Sequence, residues 1–228
     1  MQRVIDLRNP GEVLACGGLA WLASLADPLA ETGFEPMAEP GVMRFACPDT
    51  ALQQFDAVRV VPVVDDDDAL QLGALRLDWW NPWGLNPHMK LWSGKQKAES
   101  IVGNLFRASA GAASPEWLEF EHTTTGRLGV DPRGTWNALG IGWSINQHTH
   151  IEMLCRPLLE LLAFIGLQAL PLAGSRRDGH VRLHPWREAS FSLARLAIAG
   201  ASRYALSGWR APFGKAGSNT ILLTASPD

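Results

Sequence analysis

The chain reads as an α+β protein with mixed or antiparallel sheets and a few packed helices, and two observations predict this. Strand-like and helix-like segments follow one another without the regular strand–helix–strand rhythm of a parallel sheet. One segment, Leu154–Leu167, is apolar nearly all round, which places it at the centre of a fold. Hydrophobic residues make up 46% and charged residues 19%. That is the balance of an ordinary folded chain and excludes a mainly disordered one. A length of 228 residues supports a sizeable core, as one large domain or two small ones.

The first strand is expected at Val4–Leu7. Asn9-Pro-Gly follows, with Asn9 as N-cap, Pro10 at the first helical position and Glu12 where the helix dipole favours an acid. The helix runs to about Ala26 and stops before Pro28. Gly17-Gly18 in its middle costs helix stability relative to alanine, which points to another backbone packed closely there. Short strands are predicted at Gly33–Pro36 and Val42–Phe45, then a helical turn or two from Asp49. Val58–Val64 has the alternation and β-branching of a strand, Asp65–Asp68 form a turn, and Leu70–Trp79 returns as a strand with Leu75 and Leu77 on one face. Ser93 is expected to cap a helix through Ser109, with Ile101, Val102, Leu105 and Phe106 as its buried stripe.

Ala110–Pro115 is rich in small residues and marks the best internal boundary. It separates an N-terminal α+β region (1–109) from a C-terminal one (116–228) built round the hydrophobic helix. Beyond it, strands are expected at Leu118–Thr123, Leu128–Val130, Gly142–Ile145, His180–His184, Ala189–Ala199, Tyr204–Leu206 and Thr220–Thr224. Leu193–Ala199 also fits a helix. No repeat or low-complexity segment occurs.

Charge is unevenly spread. Residues 1–78 carry 5 basic against 13 acidic side chains, and residues 171–228 carry 8 basic against 3 acidic. The overall net charge of −3 argues against a generic polyanion binder, whereas the polarity can orient a subunit with its basic part towards phosphate. Three widely spaced cysteines, with no Cys-x-x-Cys pair, fit buried thiols in a reducing cytoplasm. No signal-peptide pattern opens the chain and no apolar run is long enough to span a bilayer, so a cytoplasmic protein without a membrane partner is expected.

The segment Leu77–Lys97 concentrates the chemistry. Four of the ten tryptophans lie between Trp79 and Trp92, and Lys90, Lys95, Gln96 and Lys97 accompany them. Flat apolar faces beside mobile cations suit base stacking and phosphate contact on single-stranded nucleic acid. A tryptophan-rich corner of the core is the alternative. Lys95, Gln96 and Lys97 are expected in the first turn of the Ser93 helix, where cations oppose the dipole, so an anionic ligand there would explain them. Trp83, Lys90, Trp92, Lys95, Gln96 and Lys97 are therefore the candidate contacts, with Arg127, Arg133, Arg176 and Arg177 as further candidates for phosphate. Arg156 is one more, unless it pairs with Glu152 or Glu160.

No catalytic set emerges. His148-x-His150 with Glu152 offers ligand types for a metal, but no third histidine or cysteine stands at a familiar spacing. His122 is the right residue type for general acid–base cleavage of RNA but stands alone. No nucleophile elbow, phosphate loop or dinucleotide fingerprint occurs. Neither a metal nor another cofactor is expected.

Three segments together carry a family resemblance. They are Asn9-Pro-Gly-Glu-Val-Leu-Ala-Cys-Gly-Gly-Leu-Ala-Trp-Leu-Ala, then Leu77-Asp-Trp-Trp with Lys90-Leu-Trp-Ser-Gly-Lys-Gln, then Gly142-Trp-Ser-Ile-Asn with Arg156-Pro-Leu-Leu-Glu-Leu-Leu-Ala-Phe-Ile-Gly-Leu-Gln168. The chain resembles Csb-type and large-subunit-type proteins of type I-G (formerly I-U) CRISPR systems. The resemblance implies a subunit of a crRNA-guided Cascade complex, related to RRM-like (ferredoxin-like) CRISPR subunits. Its partners would be crRNA and/or target DNA, other Cascade subunits and a separate helicase-nuclease that does the cutting. The expected function is non-catalytic nucleic-acid binding. Its rivals are a metal-independent endoribonuclease that processes crRNA with His122, His148 or His150, and a purely structural interaction subunit.

Overall fold

A computed structural model describes residues 1–94, 96–124, 126–134, 154–216 and 218–228. Strand β1 (Gln2–Asp6) leads into helix α1 (Pro10–Ala26). The Asn9 side chain caps that helix as expected, accepting from the amides of Gly11 and Glu12. Strands β2 (Glu31–Pro36) and β3 (Val42–Ala46) form a hairpin, with β3 also antiparallel to β1. Helix α2 (Thr50–Val58) follows, then the short strands β4 (Val63–Val64), β5 (Leu70–Leu72) and β6 (Leu75–Leu77), which form a three-stranded sheet. Helix α3 is Ala98–Ala108. Strands β7 (His122–Thr123) and β8 (Leu154–Cys155) pair with each other ahead of helix α4 (Pro157–Gly166).

The last third supplies β9 (Ala173–Ser175), β10 (His180–Leu183), β11 (Ala189–Ser190), helix α5 (Phe191–Ile198), β12 (Trp209–Ala216), β13 (Asn219–Leu222) and β14 (Ser226–Pro227). β11 completes a four-stranded sheet in the order β1-β3-β2-β11. The others form a five-stranded sheet, β13-β12-β10-β9, with β14 on β12. All the recorded pairings are antiparallel, so the α+β expectation holds.

One hydrophobic cluster runs through both halves of the chain. At its centre α1 crosses α4, and every residue of α4 is buried. The glycines make that crossing possible. A Cβ on Gly18 would lie 2.1 Å from the Leu162 carbonyl oxygen, and one on Gly166 would lie 2.7 Å from the Leu14 carbonyl oxygen. The backbone approach inferred from Gly17-Gly18 is therefore real: a side chain at this crossing would force the helices apart.

A buried polar network locks the two halves together beside this crossing. Arg156 donates to Glu12 at 2.8 Å and to Asp131 at 2.7 Å, while the Asn9 amide donates to Asp131 at 2.8 Å. Arg156 thus neither pairs with Glu160 nor stands ready for phosphate, because Pro157 starts α4 with Arg156 directed into the core. Glu160 instead accepts the amides of Leu128 and Gly129 at 2.6 and 3.0 Å. Those amides are consequently spent, and Leu128–Val130 does not form the strand expected of it. Burial pushes the Glu160 carboxyl above its ordinary range.

Other elements depart from their predicted form for local reasons. Val58 ends α2, and only Val63–Val64 of the predicted Val58–Val64 strand pairs, since Pro62 has no amide proton to offer a ladder. Leu70–Trp79 is interrupted at Gly73, whose φ of 58° turns it into a hairpin. Leu118–Thr123 shrinks to His122–Thr123, Ala189–Ala199 becomes mostly helix, and Tyr204–Leu206 makes a single bridge from Ala205 to Trp186. Within Ala110–Pro115, Ala112 and Ser114 are buried, and the Ser114 hydroxyl donates to Asp56. The eight-residue β12 is the longest of the recorded strands and was not anticipated, because Pro212 and Gly214 within it read as breakers. The predicted Gly142–Ile145 strand lies outside the described residues.

Candidate nucleic-acid interface

The Trp/Lys segment leaves β6 as a loop clamped to the end of α4. Gln168 Oε1 accepts the amides of Asp78 and Trp79 at 2.7 and 3.0 Å, and its Nε2 donates to Asp78 at 3.0 Å. The Trp79 indole donates to the Phe164 carbonyl at 3.0 Å. Buried Asn86 donates to the carbonyls of Leu167 and Leu170 at 2.6 and 2.8 Å and accepts from the Leu172 amide. Leu167 and Leu170 are buried just beyond the end of α4, and Asn86 supplies their carbonyls with a partner there.

The clamp turns three tryptophans inward. Trp79, Trp80 and Trp92 surround Phe164, with Trp79 edge-on to Trp80 at 5.6 Å and to Trp92 at 5.7 Å. Trp92, expected to present a stacking face, is 5% exposed and belongs to the core. Adjacent Trp79 and Trp80 both point inward because they follow β6 in a turn, where the two-sided alternation of a strand no longer applies. Trp83 behaves differently. It is 77% exposed at the tip of a tight loop closed by bonds from Asn81 to Asp78, Gly84 to Asn81, and Asn86 to Trp79. Gly84 is required there, since a Cβ would lie 2.6 Å from two backbone oxygens.

The following stretch is held from the other side by β13. The Leu91 carbonyl accepts the Thr220 amide at 2.8 Å, and the Ser93 amide donates to Asn219 at 2.9 Å. Ser93 is therefore not the N-cap of α3. Lys97 takes that position and makes no side-chain cap, so Gln96 and Lys97 precede the helix rather than opposing its dipole from the first turn. The feature from which an anion was expected there, Gln96 and Lys97 inside the first turn, is therefore absent.

A pocket of about 680 Å³ lies over this segment. Trp80 and Trp92 contribute to its wall with Asn81 and Pro82, and Lys90, Gln96 and Lys97 stand around it. The Lys90 ammonium sits 5.9 Å from the Trp92 ring centre. The turn between β4 and β5 contributes Asp68 to the lining, and the start of α3 contributes Glu99. Asp68, Trp80, Asn81 and Glu99 were not among the candidate contacts read from sequence; Asp68 comes beside the lysines only through tertiary contact. Half of the acidic tetrad is structural. Arg76 binds Asp65 at 2.9 Å and Asp67 at 3.1 Å, together with Asp78 at 2.9 Å.

Of the ten candidate contacts, Lys90, Trp92, Gln96 and Lys97 meet at this pocket, and Trp83 stands on the same loop. Lys95 lies outside the described residues. Arg127 is half-buried near Glu160 and outside the pocket lining, and burial lowers its pKa. Arg133 is engaged by Glu121 at 3.0 Å. Arg176 and Arg177 are exposed in the β9–β10 turn, outside the pocket lining. Burial first, and then the charge of Arg176, lowers the pKa of His88, whose neighbour Pro87 lines the pocket.

His122 is exposed, with Nδ1 at 2.7 Å from the Thr123 carbonyl oxygen, and His148, His150 and Glu152 lie outside the described residues. Among the described residues no group of three or more His, Cys, Asp or Glu side chains is arranged to hold a metal, and no helix is long and apolar enough to cross a membrane. All three cysteines are buried free thiols. No family model, curated protein or solved structure matches the chain.

Proposed function

We propose that this chain is a non-catalytic nucleic-acid-binding subunit of a crRNA-guided CRISPR surveillance complex, gripping a single strand across the face from Trp83 to Lys97. The observation that carries the nucleic-acid reading is the pocket itself, where Lys90, Gln96 and Lys97 gather over buried indoles beside an exposed Trp83. Cations supply phosphate contact, and a rigidly held indole supplies a stacking surface that accepts any base. The guide-complex reading rests on the resemblance carried by the Asn9, Asp78-Trp-Trp and Arg156–Gln168 motifs. In such a complex, guide pairing reads sequence and the protein reads backbone and shape. The other Cascade subunits and a helicase-nuclease are the partners that follow.

The test is a salt titration of the binding of short single-stranded RNA and DNA, followed by fluorescence anisotropy. Lys90→Ala combined with Lys97→Ala should weaken binding and flatten the log–log salt slope by about 1.4, from two lost phosphate contacts on a single strand. Both lysines lie outside the hydrophobic core, so melting should not change. Repeat RNA incubated with the protein in EDTA should stay intact. Unaltered affinity and slope would overturn the binding reading, and cleaved RNA would overturn the non-catalytic one.

A further inference from the structure

The pocket holds more than a phosphate site requires. Asp68 and Glu99 line it together with the lysines, and neither makes an ion pair or hydrogen bond through its carboxylate among the described residues. Two free carboxylates would repel a nucleic-acid backbone, so a site serving phosphate alone is better without them. Asp68 is held there at a cost: its φ of 59° makes it the one non-glycine residue recorded with positive φ among the described residues. The volume of about 680 Å³ exceeds what a single phosphate needs and falls within the range of small-molecule sites.

Resting on the nucleic-acid reading above, we infer that this pocket receives one unstacked base and selects guanine. A carboxylate accepts hydrogen bonds and, when ionised, cannot donate them. Guanine presents two adjacent donors, N1–H and the N2 amine, which match the two oxygens of one carboxylate. Uracil presents a single N3–H between two carbonyl oxygens, which a carboxylate repels. Adenine and cytosine each place an acceptor beside their amine and so satisfy only half of the arrangement. Lys90 and Lys97 then take the flanking phosphate or the guanine O6, and the Trp80 and Trp92 wall covers part of the base. Without the carboxylates, the same lysines and indoles would bind every base alike.

The experiment compares a short oligouridine with the same oligomer carrying one central guanosine, and with one carrying inosine, which keeps N1–H but lacks the 2-amine. The guanosine oligomer should bind about tenfold or more tightly than all-uridine, with inosine between them. In the variant Asp68→Asn with Glu99→Gln the ratio should fall towards one, and all-uridine binding should strengthen because repelling charge has gone. Asparagine suits the left-handed backbone at position 68, so the turn should persist. Even if that variant fails to fold, the wild-type comparison decides. Equal binding of all three oligomers would overturn the guanine site and leave the nucleic-acid reading standing. Selectivity that persists in the folded variant would also overturn it. Binding of none of them would overturn both.

Discussion

Trp92 and Trp83 differ by nine positions and by opposite physical roles, and truncating each to alanine separates packing from contact. Trp92 is 5% exposed, with Trp79, Trp80 and Phe164 ring centres at 5.7, 6.1 and 6.4 Å. Trp92→Ala removes a buried indole from a cluster that cannot close over the gap, because Trp79 is itself tied by its indole to the Phe164 carbonyl. The expected cost is roughly 3–5 kcal/mol. At roughly 2–4 °C per kcal/mol for a chain of this size, the melting temperature should drop by about 6–20 °C. Trp83, 77% exposed, should change stability by no more than about 0.5 kcal/mol on truncation. Its loss should instead weaken single-strand binding by about 1–3 kcal/mol, roughly 5- to 150-fold. Thermal melts by circular dichroism and anisotropy with one labelled oligomer read both quantities on both variants. A Trp92→Ala protein that melts like the parent would refute the packing argument. A Trp83→Ala protein with parental affinity would remove the exposed indole from the interface.

Two further predictions concern the framework that positions the site. Gly18→Ala should destabilise by about 1–3 kcal/mol or more in urea unfolding, despite alanine's better helix propensity, because its Cβ would strike the Leu162 backbone. Gly17→Ala should cost less, since it meets the movable Leu170 side chain, and equal stability of Gly18→Ala and parent would refute the crossing. At Asp131, burial pushes the carboxyl up, but hydrogen bonds from Arg156 and Asn9 and the Arg156 charge outweigh it and hold the pKa below the ordinary value. Its stabilising contribution is therefore complete above the unfolded value of about 4 and is lost as pH falls through the folded one. Asp131→Asn should be less stable than the parent at pH 7, and the gap should narrow below about pH 4; a gap constant from pH 7 to pH 3 would refute the linkage.

The motifs that drew attention in the sequence hold structural positions in the fold. Asn9 caps α1 and binds Asp131, Glu12 and Arg156 meet in the core, and Gln168 holds the Asp78-Trp79 backbone. Local chemistry sufficed to read the N-cap, the apolar helix α4, the need for close backbone approach at Gly18, and the β2–β3 hairpin. These depend on near neighbours in sequence and on patterns that recur within one element. The Trp/Lys segment was legible as chemically special, but composition could not say which indoles point inward. That was decided by Asn86 and Gln168 reaching across to α4, contacts more than 80 positions apart in the chain. The start of α3 moved past Lys97 because β13 ties Leu91 and Ser93 from the far end of the sequence. Asp68 joined Lys97 and Glu99 at the pocket only when the β4–β5 turn folded against the start of α3. A strand turn and a helix start can share a pocket without leaving any common mark in the sequence, because burial and charge pairing are settled by which surfaces meet.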